Sequence, residues 1–155
     1  MNTDLLKRLC ETPGVPGREE RVRELITKEV KGLFDSIETD AMGSLICRRA
    51  PRAKGGKKIT SKAAPKSTML LCHMDEIGFL VSHVTDKGFV HVQPVGGFDA
   101  RNLFSRRVLV STDEGDLKGV MNPGGRPVHI ASPEERKKIP DPHEFVIDLG
   151  LGETT

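Results

Sequence analysis

The sequence predicts an α/β chain in which the helices come first and the second half is antiparallel β. Three observations carry this. Helical apolar periodicity is confined to the first 33 or so positions. From position 77 onward, apolar residues alternate or run in short blocks separated by Asp-Lys-Gly and Asp-Glu-Gly, which are hairpin-turn residues. Five of the six Phe lie at or after position 79, so the bulky core material belongs to the second half.

In order along the chain, Leu5, Leu6, Leu9 and Cys10 form one apolar stripe of a first helix, with Thr3 as its expected N-cap. Pro13 and Gly14 stop it, and ETPGVPG is a turn-rich connector. A second helix is expected over roughly 17–32, with Val22, Leu25, Ile26, Val30 and Leu33 on one face and Glu19 and Glu20 near its positive end. Two strands follow, FDSIETD (34–40) and SLICRR (44–49), joined at a Met-Gly turn. Residues 50–66 contain no Val, Leu or Phe and only one Ile, and read as a solvated loop. STMLLCHM (67–74) is a short continuous apolar run, the pattern of a strand buried on both faces. IGFLVSHV and GFVHVQPV then form one hairpin, and RRVLVST and DLKGVM a second. PEERKK (133–138) is a short helical turn opened by proline, and EFVIDLG (144–150) is a last strand. That strand is expected at an open sheet edge, followed either by a floppy terminus or by more polypeptide. The composition shift near residue 76 marks a boundary between segments 1–76 and 77–155.

A length of 155 residues allows one domain or pieces of two, and excludes a large self-contained two-domain enzyme. With 36% hydrophobic and 30% charged residues the core is modest. No apolar run approaches the roughly 18 residues that span a bilayer, and MNTDLLKRLC lacks a hydrophobic signal core, so a cytoplasmic location and no membrane partner are expected. Cys10, Cys47 and Cys72 are an odd count in no zinc-like spacing and fit reduced thiols. The net charge of +2 is unevenly placed: residues 48–66 hold eight Lys/Arg and no acid, leaving 16 basic against 22 acidic residues elsewhere.

The chemistry-bearing segment is LLCHMDEIGF (70–79). His73 and Asp75 are two apart, so on an extended backbone they point the same way. Neutral imidazole is a good zinc ligand, and a nearby carboxylate is the usual device for orienting it. A surface His and Asp at a strand–loop junction would read the same way, and Glu76 is a third carboxylate at that mouth. His83 and His91 fall on opposite strands of the first hairpin, where they could pair, although ordinary strand histidines give the same pattern. His129 lies in a loop and His143 in a proline-rich turn, and neither is assigned to metal.

CHMDEIGF resembles the metal-binding segment of the cytosolic co-catalytic metallo-aminopeptidases of the glutamyl, deblocking and tetrahedral type, some of them labelled cellulases or endoglucanases. LLKRLCETPGVPGREERVRELI resembles that family's opening helix, Pro-Gly turn and second helix. SIETDAMGSLICRR resembles the strands around its D-x-x-G-N-L pattern, with Ser44 where Asn is usual. HVQPVGGFDARNLFSRRVLV resembles its R-P-V-G-G-W-D segment, with Phe98 as the aromatic residue. GVMNPGGRPVHIASPEERKKIPDPHEFVIDLG resembles the stretch that closes with an acidic residue before Gly.

The resemblance implies the start of an α/β/α zinc-peptidase-like domain in 1–76. It implies that 77–155 is a β-barrel-like insertion used for dimerisation and higher assembly, present only in part. It makes His73 a terminal ligand in a two-metal site, with zinc the default and cobalt or manganese the alternatives. Asp75 joins the catalytic apparatus by holding the imidazole in its ligating tautomer. The implied reaction is removal of N-terminal residues from peptides, and the implied partners are peptide substrates and further copies of the chain. In that family the remaining ligands and the general-base glutamate follow the insertion, so the 155-residue chain, a fragment or truncated relative, is expected to be inactive alone.

Other classes weigh less. The basic stretch 48–66 could hold phosphate, but it has no aromatic for base stacking, which favours a solvated insertion over nucleic-acid binding. The β half could be a non-catalytic dimerisation module, or the chain one half of a split enzyme. Glycoside hydrolysis needs a spaced carboxylate pair, whereas Asp75 and Glu76 are adjacent and diverge.

Overall fold

The computed structural model describes residues 2–59, 67–127 and 129–151. The chain divides into two compact units, residues 1–76 and 77–155.

In the first unit, α1 (Thr3–Glu11) begins one residue earlier than a Thr3 cap would allow. Asn2 is the cap instead, its Oδ1 accepting from the Leu5 N–H at 3.1 Å. The helix α2 (Glu20–Glu29) is shorter than the expected 17–32. At its start, Gly17 has φ +81° and donates its N–H to Glu19 Oε1 at 2.7 Å, which makes a turn there. At its end, Gly32 has φ +82°, the left-handed conformation that terminates helices. Arg8 links the two helices by an ion pair with Glu29 Oε1 at 2.8 Å. β1 (Ser36–Thr39) and β2 (Leu45–Arg48) pair antiparallel, with Ser36 opposite Arg48. The Asp40 carboxylate organises their turn by accepting from the N–H groups of Met42 at 2.9 Å and Ser44 at 2.8 Å. Arg23 of α2 donates to the Gly43 carbonyl at 3.0 Å, tying helix to hairpin.

The base of the basic stretch is clamped to the same hairpin. Asp35 accepts from the Ala50 N–H at 2.7 Å, from Arg52 Nη2 at 2.6 Å and from Lys58 Nζ at 2.6 Å. Arg48 pairs with Glu38 at 3.3 Å. Three of the cations that suggested phosphate binding therefore face carboxylates of this chain; the part of the stretch from 60 to 66 lies outside the described residues. The Lys58 hydrogen bond, followed by that from the Ala50 N–H, lowers the Asp35 carboxyl from 3.8 to about 2. Because the folded value lies below the unfolded one, the clamp contributes fully above the ordinary carboxylate range and is lost as pH falls from about 4 toward 2. An NMR titration of the Asp35 carboxyl should give a midpoint near 2 that moves up toward 3.8 in Lys58→Ala. A midpoint at the ordinary value in the unsubstituted protein would remove the clamp.

The run 67–74, expected as a doubly buried strand, is not one. It has no regular structure, and Met69, Leu70 and Leu71 are exposed. A strand buried on both faces needs neighbours for its ladder bonds and layers above and below. Among the described residues of this unit the only strand ladder is β1–β2.

The second unit is a five-stranded antiparallel sheet built from β3 (Gly78–Val84), β4 (Val90–Val95), β5 (Arg106–Thr112), β6 (Gly115–Pro123) and β7 (Phe145–Asp148), in the order β3-β4-β7-β6-β5. Both hairpins form where the turn residues put them, with Gly88 and Gly115 at positive φ. The last strand, however, is not at an edge. β7 lies between β4 and β6 with His91 opposite Val146 and Met121 opposite Ile147, and the edges are β3 and β5. α3 (Pro133–Lys137) sits in the excursion between β6 and β7, capped reciprocally by Ser132 and Glu135.

The core comprises Val90, Val92, Ala100, Leu103, Met121, Phe145 and Ile147, with Phe79, Phe98, Val108, Val110 and Leu149 packed around it. Phe104 meets Phe145 edge-on at 5.3 Å, and Phe79 stacks on Phe98 at 4.4 Å. Gly119 lets β6 and β7 close: a Cβ there would lie 2.5 Å from Ile147 Cγ2 and 3.0 Å from the Asp148 carbonyl oxygen. Val81 and Val84 of edge β3 line one groove together with Val110 and Ser111 of edge β5, so the sheet curls toward a barrel.

Candidate metal centre

His73 and Asp75 lie in the irregular segment that leads out of the first unit. Two contacts fix where it runs. The Glu76 N–H donates to the Gly14 carbonyl at 2.8 Å, pinning the segment to the Pro-Gly connector between α1 and α2. Gly14 is there because nothing larger fits: a Cβ would come within 2.8 Å of Val22 Cγ1 and 3.8 Å of the Met74 carbonyl oxygen. Val22 is itself 4% exposed, the buried hydrophobic residue among the described residues of this unit. Sequence alone assigns Gly14 only to stopping a helix. Its role in seating a segment some sixty positions away leaves no local signal.

The structure brings the two candidate side chains together. His73 Nδ1 lies 3.2 Å from Asp75 Oδ1 and 3.0 Å from the Asp75 backbone carbonyl oxygen. Both partners are acceptors, so in the neutral ring the proton sits on Nδ1 and the lone pair on Nε2. The His73 side chain is 83% exposed and that of Asp75 36%, so Nε2 is reachable while the carboxylate is partly sheltered. A carboxylate-oriented imidazole with a free Nε2 has the chemistry of one zinc ligand with its outer partner.

The remaining candidates do not join it. Glu76 is exposed, and among the described residues no three His, Cys, Asp or Glu side chains are grouped to hold a metal ion. His143 follows Asp141 in a short 3-10 turn (Pro142–Glu144), its N–H bonded to Asp141 Oδ1 at 3.0 Å, and His129 lies exposed in the excursion after β6. His83 and His91 pair with each other across β3 and β4.

The family model for M42 glutamyl aminopeptidase matches residues 55–155. The chain belongs to this family.

Relatives extend the match toward the N-terminus. The lysyl aminopeptidase of Pyrococcus furiosus is 31% identical over 150 residues, 95% of this chain and 39% of that protein. Among solved structures, an aminopeptidase from Desulfurococcus kamchatkensis superposes with a TM-score of 0.78 at 33% identity, over 97% of this chain and 38% of that one. The TET1 peptidase of Pyrococcus horikoshii, which assembles into a tetrahedron or a large octahedral shell, gives 0.71 at 32% identity, over 97% and 41%. The chain spans about two fifths of the length of the curated relatives it matches at greatest extent. Among the described residues, no helix is long and apolar enough to cross a membrane.

Proposed function

We propose that this M42 chain supplies a first ligand-bearing segment of a metal-dependent aminopeptidase that removes N-terminal residues from peptides. The observation that carries the proposal is the 3.2 Å contact between His73 Nδ1 and Asp75 Oδ1, which leaves Nε2 available. His73 binds one divalent metal through Nε2. Asp75 keeps the proton on Nδ1 and fixes the ring plane. A metal pair, two zinc ions by default with cobalt or manganese as alternatives, supplies an activated water and a polarised carbonyl when bound. On this reading 1–76 is the N-terminal part of the peptidase domain and 77–155 is its β-rich insertion. The free cysteines Cys10, Cys47 and Cys72 support a reducing, cytoplasmic setting.

One imidazole and its carboxylate do not close a metal site, and the described residues offer no further cluster. On this proposal the other donors and the general base come from outside the described residues, in the same chain or in a second one. The exposed run Met69–Leu71 supports this, because it is apolar surface that further strands would cover. The chain by itself is inactive on this proposal.

A second reading, an assembly module, is favoured by the two sheet edges. β3 exposes Leu80, Val81 and Val84, and β5 exposes Leu109, next to unpaired backbone. One preparation tests both readings. The purified chain with zinc or cobalt should cleave none of a panel of aminoacyl substrates, sediment as an oligomer, and gain turnover when polypeptide carrying the missing donors is supplied. Metal-dependent cleavage by the chain alone would sink the incomplete-site proposal. Failure of every completed form to cleave would sink the peptidase, and a monomer at high concentration would sink the assembly reading.

A further inference from the structure

The outer face of the β3–β4 hairpin carries two histidines that the peptidase chemistry does not use. His83 and His91 are direct register partners, with ring centroids 5.9 Å apart and planes inclined by 38°. A change of register brings them opposite each other. Before it, Leu80 faces Gln93 and Val81 faces Val92; after it, His83 faces His91 and Val84 faces Val90. Ser82 is the extra residue of this bulge. Had the earlier register continued, His91 would face Ser82 and His83 would face Val90. Bulges re-aim side chains in this way, and here the result is an imidazole pair.

The pair is also accessible. Val90 and Val92 are 3% and 4% exposed and face the core, so His91 between them points to the opposite face. His83 is exposed and His91 is half-buried beside Val146 of β7. Two imidazoles sharing one ion at metal–nitrogen distances of about 2.0–2.1 Å, with angles between square-planar and tetrahedral, place their ring centroids about 4.5–5.2 Å apart. The observed separation needs closure by about 1 Å, which rotation of the exposed His83 side chain would have to supply.

We infer that His83 and His91 form a bidentate site for a single borderline divalent cation of the zinc, copper or nickel class, with water completing the coordination. Two neutral nitrogen donors select such ions over magnesium and calcium, which take oxygen ligands. The bound ion ties edge strand β3 to β4 across the bulge.

The test is a zinc chloride titration of the protein labelled at its histidine rings, followed by long-range proton–nitrogen correlation. The His83 and His91 ring nitrogens should shift together with a common half-saturation, at zinc concentrations that leave His129 and His143 unmoved. His83→Ala should raise the half-saturation of the His91 response by about 100-fold, the usual gain from making a second binding event intramolecular. His83→Gln, which keeps a polar side chain on the strand, should do the same. His73→Ala should leave the His83–His91 response unchanged, which separates this site from the peptidase ligand. Because the readout is residue-resolved, zinc held by Cys10, Cys47 or Cys72 does not enter it. Two rings that saturate at different zinc concentrations, or a His91 response unaltered in His83→Ala, would overturn the site.

Discussion

In any preparation in which this chain takes part in catalysis, His73→Ala is expected to lower kcat/KM for aminoacyl substrates by about 10²–10⁴-fold. Losing a ligand forfeits metal-based charge stabilisation worth several kcal/mol, at 1.36 kcal/mol per decade of rate. Asp75→Asn separates ligation from positioning. Asparagine keeps the size of the side chain and one acceptor oxygen but loses the charge that favours a protonated Nδ1. A loss of about 10–100-fold is expected, mostly in metal affinity, so that raising the metal concentration recovers part of the activity. The partial burial of Asp75 matters here, because a carboxylate fully in water would orient its neighbour weakly. Equal, metal-independent losses in the two variants would point to a structural defect, and full activity in His73→Ala would exclude it as a ligand.

Phe145→Ala is the largest expected stability effect. Phe145 has no exposed surface, opens the central strand β7, and packs edge-on against Phe104. Truncating such a side chain costs about 3–5 kcal/mol through lost transfer energy and the cavity left behind. For a unit of this size each kcal/mol moves the melting temperature by about 4–8 °C, so scanning calorimetry should show the β-unit transition at least about 12 °C lower. Phe89→Ala, at a residue 39% exposed in the turn between β3 and β4, should shift it by no more than about 4 °C. Similar shifts in the two variants would mean that the core is not organised around β7.

Much of the local structure was legible because it depends on near neighbours in sequence. The stripe of Leu5, Leu6 and Leu9 specifies α1, and Gly88 and Gly115 specify the two hairpin turns by taking a left-handed φ. Where the helix ends slipped, the cause was equally local: Asn2 competes with Thr3 as a cap, and Gly17 is held in a turn by Glu19. The 67–74 run misled because continuous apolar sequence says only that a segment is fit for burial. Whether it becomes a strand depends on ladder partners, and no described strand of the first unit pairs with it.

The candidate site divides in the same way. The H-x-D spacing placed His73 and Asp75 within reach of each other, a two-residue property. Gly14 and its hydrogen bond from Glu76 could not be read, because that contact joins distant parts of the chain. Pairing of His83 with His91 was foreseeable from the hairpin, but the bulge at Ser82 that sets their register was not.

By itself, then, the sequence determined the two leading helices, the hairpins and their turns, and the motifs by which the chain resembles a metallo-aminopeptidase. All of these are properties of short windows, set by side-chain periodicity and backbone preference. Only the tertiary structure decided that β7 inserts between β4 and β6, that β3 and β5 become the open edges, and that 67–74 stays outside any sheet. Strand neighbours are chosen by non-local hydrogen bonding and core packing: β7 lies centrally because Phe145 and Ile147 fill the space between the two hairpins, and Gly119 lets its backbone approach.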